Sequence, residues 1–230
     1  MPGRRIDKIS IIIPVLNESV SLGSFLSALQ IFRHQHCEII VVDGGSHDQT
    51  CQIAEKYCDL LLSSSAGRAR QMNAGANHAS GSILLFLHAD TILPANYFDL
   101  IFHQLSEKNK SWGRFNVALS GDALMFRLIE SLMNFRSCFT GVCTGDQAIF
   151  VSRELFIKTG GFPDIDLMED VAFSKVLKKI ESPLCLKSRV VTSSRRWEKY
   201  GIWKTIFLMW RLRLAYFMGE SPQKLKQKYL

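Results

Sequence analysis

The sequence predicts an α/β protein with a Rossmann-like, mostly parallel central sheet flanked by helices. Three observations lead there. Short apolar runs rich in β-branched residues alternate with segments whose apolar residues recur at helical spacing. Several of these runs end in an acid or in a loop of glycine and serine, where open α/β sheets bind their ligands. The run Ile83-Leu84-Leu85-Phe86-Leu87, bounded by Gly81 and Pro94, is apolar without interruption, as suits a parallel strand covered on both faces.

The elements follow in order. Ile9 to Ile13 has the β-branched density of a central strand, ended by Pro14 because proline cannot donate to an interior ladder. Asn17, Glu18 and Ser19 are polar caps before a helix through Leu22, Phe25, Leu26 and Leu29. Glu38 to Asp43 repeats the strand, and Gly44 to Thr50 makes a turn and cap before a helix from Cys51 to Tyr57. Leu60 to Leu62 is the third strand. Ser63 to Gly67 then opens a helix from Arg68 to His78, whose free N–H groups suit a phosphate, with Arg68 or Arg70 adding charge; a plain cap is the alternative.

The fourth strand, Ile83 to Leu87, delivers His88-Ala89-Asp90, where Asp90 is either a ligand-binding carboxylate or the cap of the next turn. A helix through Tyr97, Leu100, Ile101 and Leu105 closes a first half of about residues 1–105, and the charged stretch Ser106 to Ser111 marks the boundary with a second half of about 112–200. There Trp112 to Leu119 alternates like a half-exposed strand, and Asp122 to Cys138 carries helical spacing. Gly145-Asp146-Gln147 precedes a short strand, Ala148 to Val151. Glu169-Asp170 opens a helix to about Lys179, a place where acids are plain caps unless the site claims them. Leu184 to Thr192 is the last strand. In the tail, 201–230, Trp203, Ile206, Phe207, Trp210, Leu214 and Phe217 share one face flanked by Lys204, Arg211 and Arg213. Such a helix over 202–217 either packs on its own domain or lies on a membrane surface.

Composition bounds the function classes. At 230 residues with 47% hydrophobic and 21% charged residues, the chain can bury a sizeable core and is neither disordered nor repetitive. A net charge of +7 admits nucleic acid, anionic lipid or phosphorylated substrates without choosing among them, and no nucleic-acid partner is expected. Six cysteines without a CxxC pair or a cysteine–histidine frame argue against a zinc site and for reduced thiols in a cytosolic protein. Pro14 interrupts the first apolar run, so a signal-peptide core is missing, and no run reaches the roughly 18 residues of a membrane span. The expected location is cytoplasmic, with the tail helix as the point of contact with the inner face of a membrane. A dinucleotide-dependent oxidoreductase is excluded because no GxGxxG follows the first strand.

Five motifs in order, Pro14-Val15-Leu16-Asn17-Glu18, Asp43-Gly44-Gly45-Ser46-His47-Asp48, His88-Ala89-Asp90, Glu169-Asp170 and Arg195-Arg196-Trp197, resemble those of the family 2 glycosyltransferases with the GT-A fold. They correspond to the family's Pro-x-Tyr-Asn-Glu, Asp-Asp-Gly-Ser-x-Asp, Asp-x-Asp, Glu-Asp and Gln-x-x-Arg-Trp. The chain is most similar to a small bacterial and cyanobacterial subgroup of stand-alone transferases with His-Ala-Asp in place of Asp-x-Asp. The resemblance covers about residues 9–200 and implies one GT-A domain over 1–200.

It also implies an inverting, metal-dependent transfer of one sugar from a nucleotide-diphosphate sugar, with UDP favoured and GDP admitted. The acceptor is unidentified, and the apolar tail allows a lipid-like one. Pro14, Val15, Asn17, Glu18, Asp43, Gly44 and Asp48 would serve the nucleotide, with Arg68 nearer the phosphates. Asp90, with His88, would hold a divalent metal (Mn²⁺ or Mg²⁺) that neutralises the diphosphate as the glycosidic bond breaks. Asp170, supported by Glu169, would take the acceptor hydroxyl's proton. Gly145, Asp146 and Gln147 would face the donor sugar or acceptor, and Arg195, Arg196 and Trp197 the diphosphate and acceptor.

Four departures sharpen this picture. Leu16 replaces the family's tyrosine, Gly44 its second aspartate and Ser193 its glutamine, and His88 brings a neutral imidazole in place of a carboxylate. Without membrane spans a processive polysaccharide synthase is disfavoured. A nucleotidyltransferase of related fold would carry a glycine-rich, basic loop where Leu16-Asn17-Glu18 stands. The remaining alternative is a catalytically inactive GT-A module that binds nucleotide or a membrane surface.

Overall fold

The computed structural model describes residues 8–33 and 36–229. Its frame is one mixed sheet of eight strands. These are β1 (Ile9–Val15), β2 (Cys37–Asp43), β3 (Leu60–Ser63), β4 (Ile83–Phe86), β5 (Thr91–Ile92), β6 (Trp112–Leu119), β7 (Phe150–Ser152) and β8 (Leu184–Thr192), in the order β3-β2-β1-β4-β7-β6-β8-β5. The first four strands in that order run parallel, as expected from their crossover helices α1 (Ser19–Leu29), α2 (Thr50–Ala54) and α3 (Arg68–His78). Beyond them β7 is antiparallel to both neighbours, and β5 is antiparallel to β8, so the parallel character is confined to one half and to the β6–β8 pair.

Pro14 does not end β1, which continues to Val15 opposite Asp43 of β2. Ile12 accepts from Leu87 N–H on the β4 side, and the last β1–β4 register pair is Ile12 with Phe86. The N–H missing at Pro14 therefore falls where β4 has already left the ladder, which is why proline is tolerated there.

Trp112 to Leu119, expected to be half exposed, is buried throughout except at Asn116, because β6 lies between β7 and β8 in the sheet interior. Apolar residues cover both sheet faces. One cluster packs Ile11, Ile13, Val41, Leu85 and Phe150 with α1 and α4 (Tyr97–Lys108); the other packs Ile12, Ile40, Leu84, Phe86 and Val151 with α3, α6 (Arg153–Thr159) and α7 (Glu169–Ile180).

Three further helices surround the far half: α5 (Leu124–Thr140), α8 (Arg195–Tyr200) and α9 (Ile202–Phe217), followed by the C-terminal α10 (Pro222–Tyr229). The tail does pack on its own domain, through Leu212 and Ala215 against Met168, Val171 and Leu225. Its aromatic stripe, however, faces outward: Trp203, Phe207, Trp210, Leu214 and Phe217 are all more than half exposed. α5 does the same with Leu124, Leu128, Leu132, Phe135 and Phe139. Among the described residues no helix is long and apolar enough to cross a membrane.

Candidate active site

The loops after β1 and β2 form one clipped unit. Asn17 takes the left-handed conformation (φ 53°), which asparagine tolerates better than most residues. Its N–H donates to Ser46 Oγ, and its Oδ1 accepts from His47 N–H. Glu18 N–H donates to Thr50 Oγ1, and Asp48 accepts from Thr50 and from Ser19 N–H, so this carboxylate joins the starts of α1 and α2. The Thr50 hydroxyl, followed by the Ser19 contacts, lowers the Asp48 carboxyl far below the ordinary range.

Asp43 is buried at the end of β2 and accepts from the N–H groups of Gly45 and Ser46 and from the Ser46 hydroxyl. Burial pushes its carboxyl up, and those bonds outweigh it and hold the group ionised. Gly44 is where a second acid was expected. Buried Gln71 bridges the carbonyls of Val15 and Val42, and a Cβ at Gly44 would come within 3.1 Å of its carboxamide. The amide of α3 fills the space a longer side chain would need.

A cleft of about 700 Å³ opens beside this unit. It gathers Arg68, His88, Asp90, Gly145, Asp146, Glu169, Asp170, Arg195, Arg196 and Trp197 from the sequence-predicted set. Pro14, Val15, Asn17, Glu18, Asp43, Gly44, Asp48 and Gln147 do not line it. The first seven occupy the neighbouring loop pair and the strand ends beneath it. Gln147 turns inward and is fully buried, donating to Ser137 Oγ and accepting from Thr144 N–H, so it fastens α5 to the loop.

Gly145 is the junction of the cleft. Its N–H donates to Asp170 Oδ2 at 2.7 Å, and its α-carbon lies so close to the His88 ring that an added Cβ would sit 2.3 Å from Nε2. Asp170 also accepts from Val171 N–H in the first turn of α7. Among the described residues Asp90, between β4 and β5, meets only the Thr91 and Thr192 hydroxyls, at 3.4 and 3.5 Å, and so keeps its carboxylate largely free. Arg196 leans on the Tyr229 ring 3.8 Å away and donates to the Tyr229 carbonyl, which ties α8 to α10. Trp197 packs with Phe126 and Ile129 of α5 and Ile206 of α9.

The charges are sorted by environment. Burial, reinforced by Arg68, pushes the His88 imidazolium down to about 3, which leaves a neutral ring. Burial and then the Asp170 charge push the Glu169 carboxyl up to about 7, while Arg68 pulls it back. Burial also raises Asp146, whose Oδ1 has no hydrogen-bond partner. The sequence reading missed Arg136 of α5, Thr192 of β8 and Arg213 of α9, all of which line the cleft. An arginine beside Leu132, Met133, Phe135 and Phe139 on a predicted helix was the available signal.

No group of three or more His, Cys, Asp or Glu side chains among the described residues could hold a metal alone. Asp90, with the neutral His88 ring lining the same cleft, could hold a hard divalent ion that takes its other oxygen ligands from outside the protein.

This mixed sheet, with a cleft that gathers carboxylates, a histidine and arginines, has the GT-A fold of solved sugar transferases. Staphylococcus aureus TarS (residues 1–349) in complex with UDP-GlcNAc superposes with a TM-score of 0.66 at 21% identity, over 81% of this chain and 58% of that one. The Pyrobaculum calidifontis mannosyltransferase PcManGT, in complex with GDP-Man and Mn²⁺, gives 0.62 at 20%, over 90% of this chain and 61% of that one. Residues 10–156 match the model of Glycosyl transferase family 2, and the chain belongs to that family. Glycosyltransferase GlyA of Streptococcus pneumoniae is 23% identical over 151 residues, which are 58% of this chain and 22% of that protein, so the chain spans about a fifth of its length.

Proposed function

We propose that the protein transfers a single sugar, with inversion, from a nucleotide-diphosphate sugar to a hydroxyl of a lipid-like acceptor, with a divalent metal held at Asp90. The observation that carries this reading is the cleft in which a free Asp90, a neutral His88 and an Asp170 aimed by Gly145 N–H meet. The metal, Mn²⁺ or Mg²⁺, would offset the charge of the departing diphosphate. Arg68, close to Asp90, Glu169 and Asp170, adds positive charge at the same end. The β1 and β2 loops, clipped through Asn17, Asp43 and Asp48, hold the nucleoside, with UDP favoured and GDP the second choice.

Asp170 takes the proton from the acceptor hydroxyl. Glu169, raised to about 7, leaves the pair with less than its full negative charge and so limits repulsion of the diphosphate. The acceptor enters from the side of α5 and α9, whose outward stripes of leucine, phenylalanine and tryptophan, with Lys204 and Arg211 alongside, rest on an anionic membrane surface.

Asp170→Asn tests the reading. Nucleotide and Mn²⁺ binding should persist while turnover falls roughly 10²–10⁴-fold, the usual worth of a general base. Turnover retained within a few-fold would remove Asp170 from the chemistry, and a wild type that binds UDP and Mn²⁺ but transfers no sugar would favour the inactive binding module.

A further inference from the structure

Arg136 and Arg213 reach the same cleft from two different helices, α5 and α9. Neither forms an ion pair or meets a carboxylate within bonding distance among the described residues. The hydrogen bond Arg136 makes is a long one, from Nη1 to the Val142 carbonyl at 3.5 Å, and its Nη2 is buried without a partner. Burial first, and then the neighbouring Arg213, depress the Arg136 guanidinium to about 10. Two guanidinium groups close enough to disfavour each other, one of them desolvated, are unfavourable unless an anion joins them. Asp146, Asp170 and the Cys143 thiol face this pair, and burial raises the Asp146 carboxyl and carries the Cys143 thiol to about 12. None of the three forms an ion pair with either arginine among the described residues.

Arg68 sits among Glu169, Asp170 and Asp90, whereas Arg136 sits with Arg213 and Asp146; Asp170 is common to both groups. Around the arginine pair the walls are apolar: Leu132, Met133 and Phe135 from α5, and Ile206, Met209 and Trp210 from α9. That trough continues into the exposed stripes of both helices.

We propose that Arg136 and Arg213 form an anion subsite for the acceptor, separate from the diphosphate end, and that its ligand is a phosphate-bearing amphiphile whose chain lies in the trough between α5 and α9. Paired guanidinium groups match the planar, bidentate demand of a phosphate, and the apolar walls bind the chain that follows it. The phosphate is an anchor, and a nearby hydroxyl of the same headgroup is the group that Asp170 deprotonates. The subsite stands on its own geometry, and the roles of acceptor and of Asp170 as its base rest on the transferase reading.

The test is titration calorimetry below the micelle concentration with dodecyl phosphate, dodecyl maltoside and inorganic phosphate, and separately with UDP and Mn²⁺. The wild type should bind dodecyl phosphate about tenfold or more tighter than dodecyl maltoside, the range expected when one charge-assisted contact is added. Arg213→Gln, at a half-buried position, and Arg136→Gln should each remove that margin and leave UDP binding intact. Equal binding of the two amphiphiles, or a margin unchanged in Arg213→Gln, would overturn the subsite. Inorganic phosphate binding as tightly as dodecyl phosphate would overturn the amphiphile in favour of a small phosphate compound. A wild type that keeps the dodecyl phosphate margin but ignores UDP and Mn²⁺ would retain the subsite and refute the transferase reading instead.

Discussion

At Gly145, one residue without a side chain serves two neighbours: its N–H aims Asp170, and its bare α-carbon makes room for His88. Gly145→Ala should therefore lower the urea midpoint by an amount worth about 1–3 kcal/mol, the usual cost of overpacking. The same substitution in a His88→Ala background should cost much less, and an unchanged midpoint in Gly145→Ala alone would contradict the close approach. Asp90 makes the opposite case, a carboxylate left nearly free by its surroundings. Asp90→Asn should abolish the Mn²⁺-dependent rise in melting temperature caused by UDP, which at a hundredfold excess over Kd corresponds to about 2.7 kcal/mol in the wild type. A rise that survives the substitution would sink Asp90 as the metal anchor. Both residues stood out in the sequence, but the contacts of Gly145 with Asp170 and of Asp90 with Thr192 did not, because they join positions 25 and 102 residues apart.

Among the elements, the parallel half is held at its N-terminal edge by one acid. Glu38 of β2 accepts from Lys8, Ser10, Ser80 and Gly81, and so joins the start of β1 to the turn before β4. Burial alone would raise this carboxyl, but Lys8, Ser10 and Ser80 outweigh it and lower it from 4.5 to about 2. The folded state therefore binds fewer protons than the unfolded one between those values. The stabilisation is present above pH 4.5 and is lost as the pH falls through 2. Glu38→Gln should cost about 1–3 kcal/mol at pH 7 and flatten the fall in stability between pH 4.5 and 2, as read from urea titrations at several pH values. An identical pH slope in the variant would contradict this account. The strands of this half were legible from β-branched runs, whereas β5, two residues long, and the burial of β6 at all but Asn116 were not. Pairing across the sheet, and not local pattern, creates both.

Over the whole molecule, α5 and α9 turn apolar stripes outward on the side where the cleft opens. Sequence periodicity identified the stripe on α9 but could not say which way it faces. Amphipathic helices usually bury such a face, yet here α9 buries the narrower one bearing Leu212 and Ala215. If the outer face rests on lipid, the protein should co-sediment with anionic liposomes at low salt and release at high salt. Phe207→Glu with Phe217→Glu should abolish co-sedimentation without lowering the melting temperature, since both rings are exposed. Equal co-sedimentation of the double variant would return the stripe to an unassigned surface.

The sequence by itself determined the α/β class, the longer strands along the chain and the residue types at their carboxyl ends. Those properties depend on neighbours a few positions apart, through periodicity, turn chemistry and β-branching. Only the tertiary structure decided which of those residues share a cleft: it placed Asp90, His88 and Asp170 together, turned Gln147 into the interior and brought Arg136 beside Arg213. Such proximity is set by how the mixed sheet and α5, α7 and α9 pack, a balance of buried area and desolvation among segments far apart in the chain.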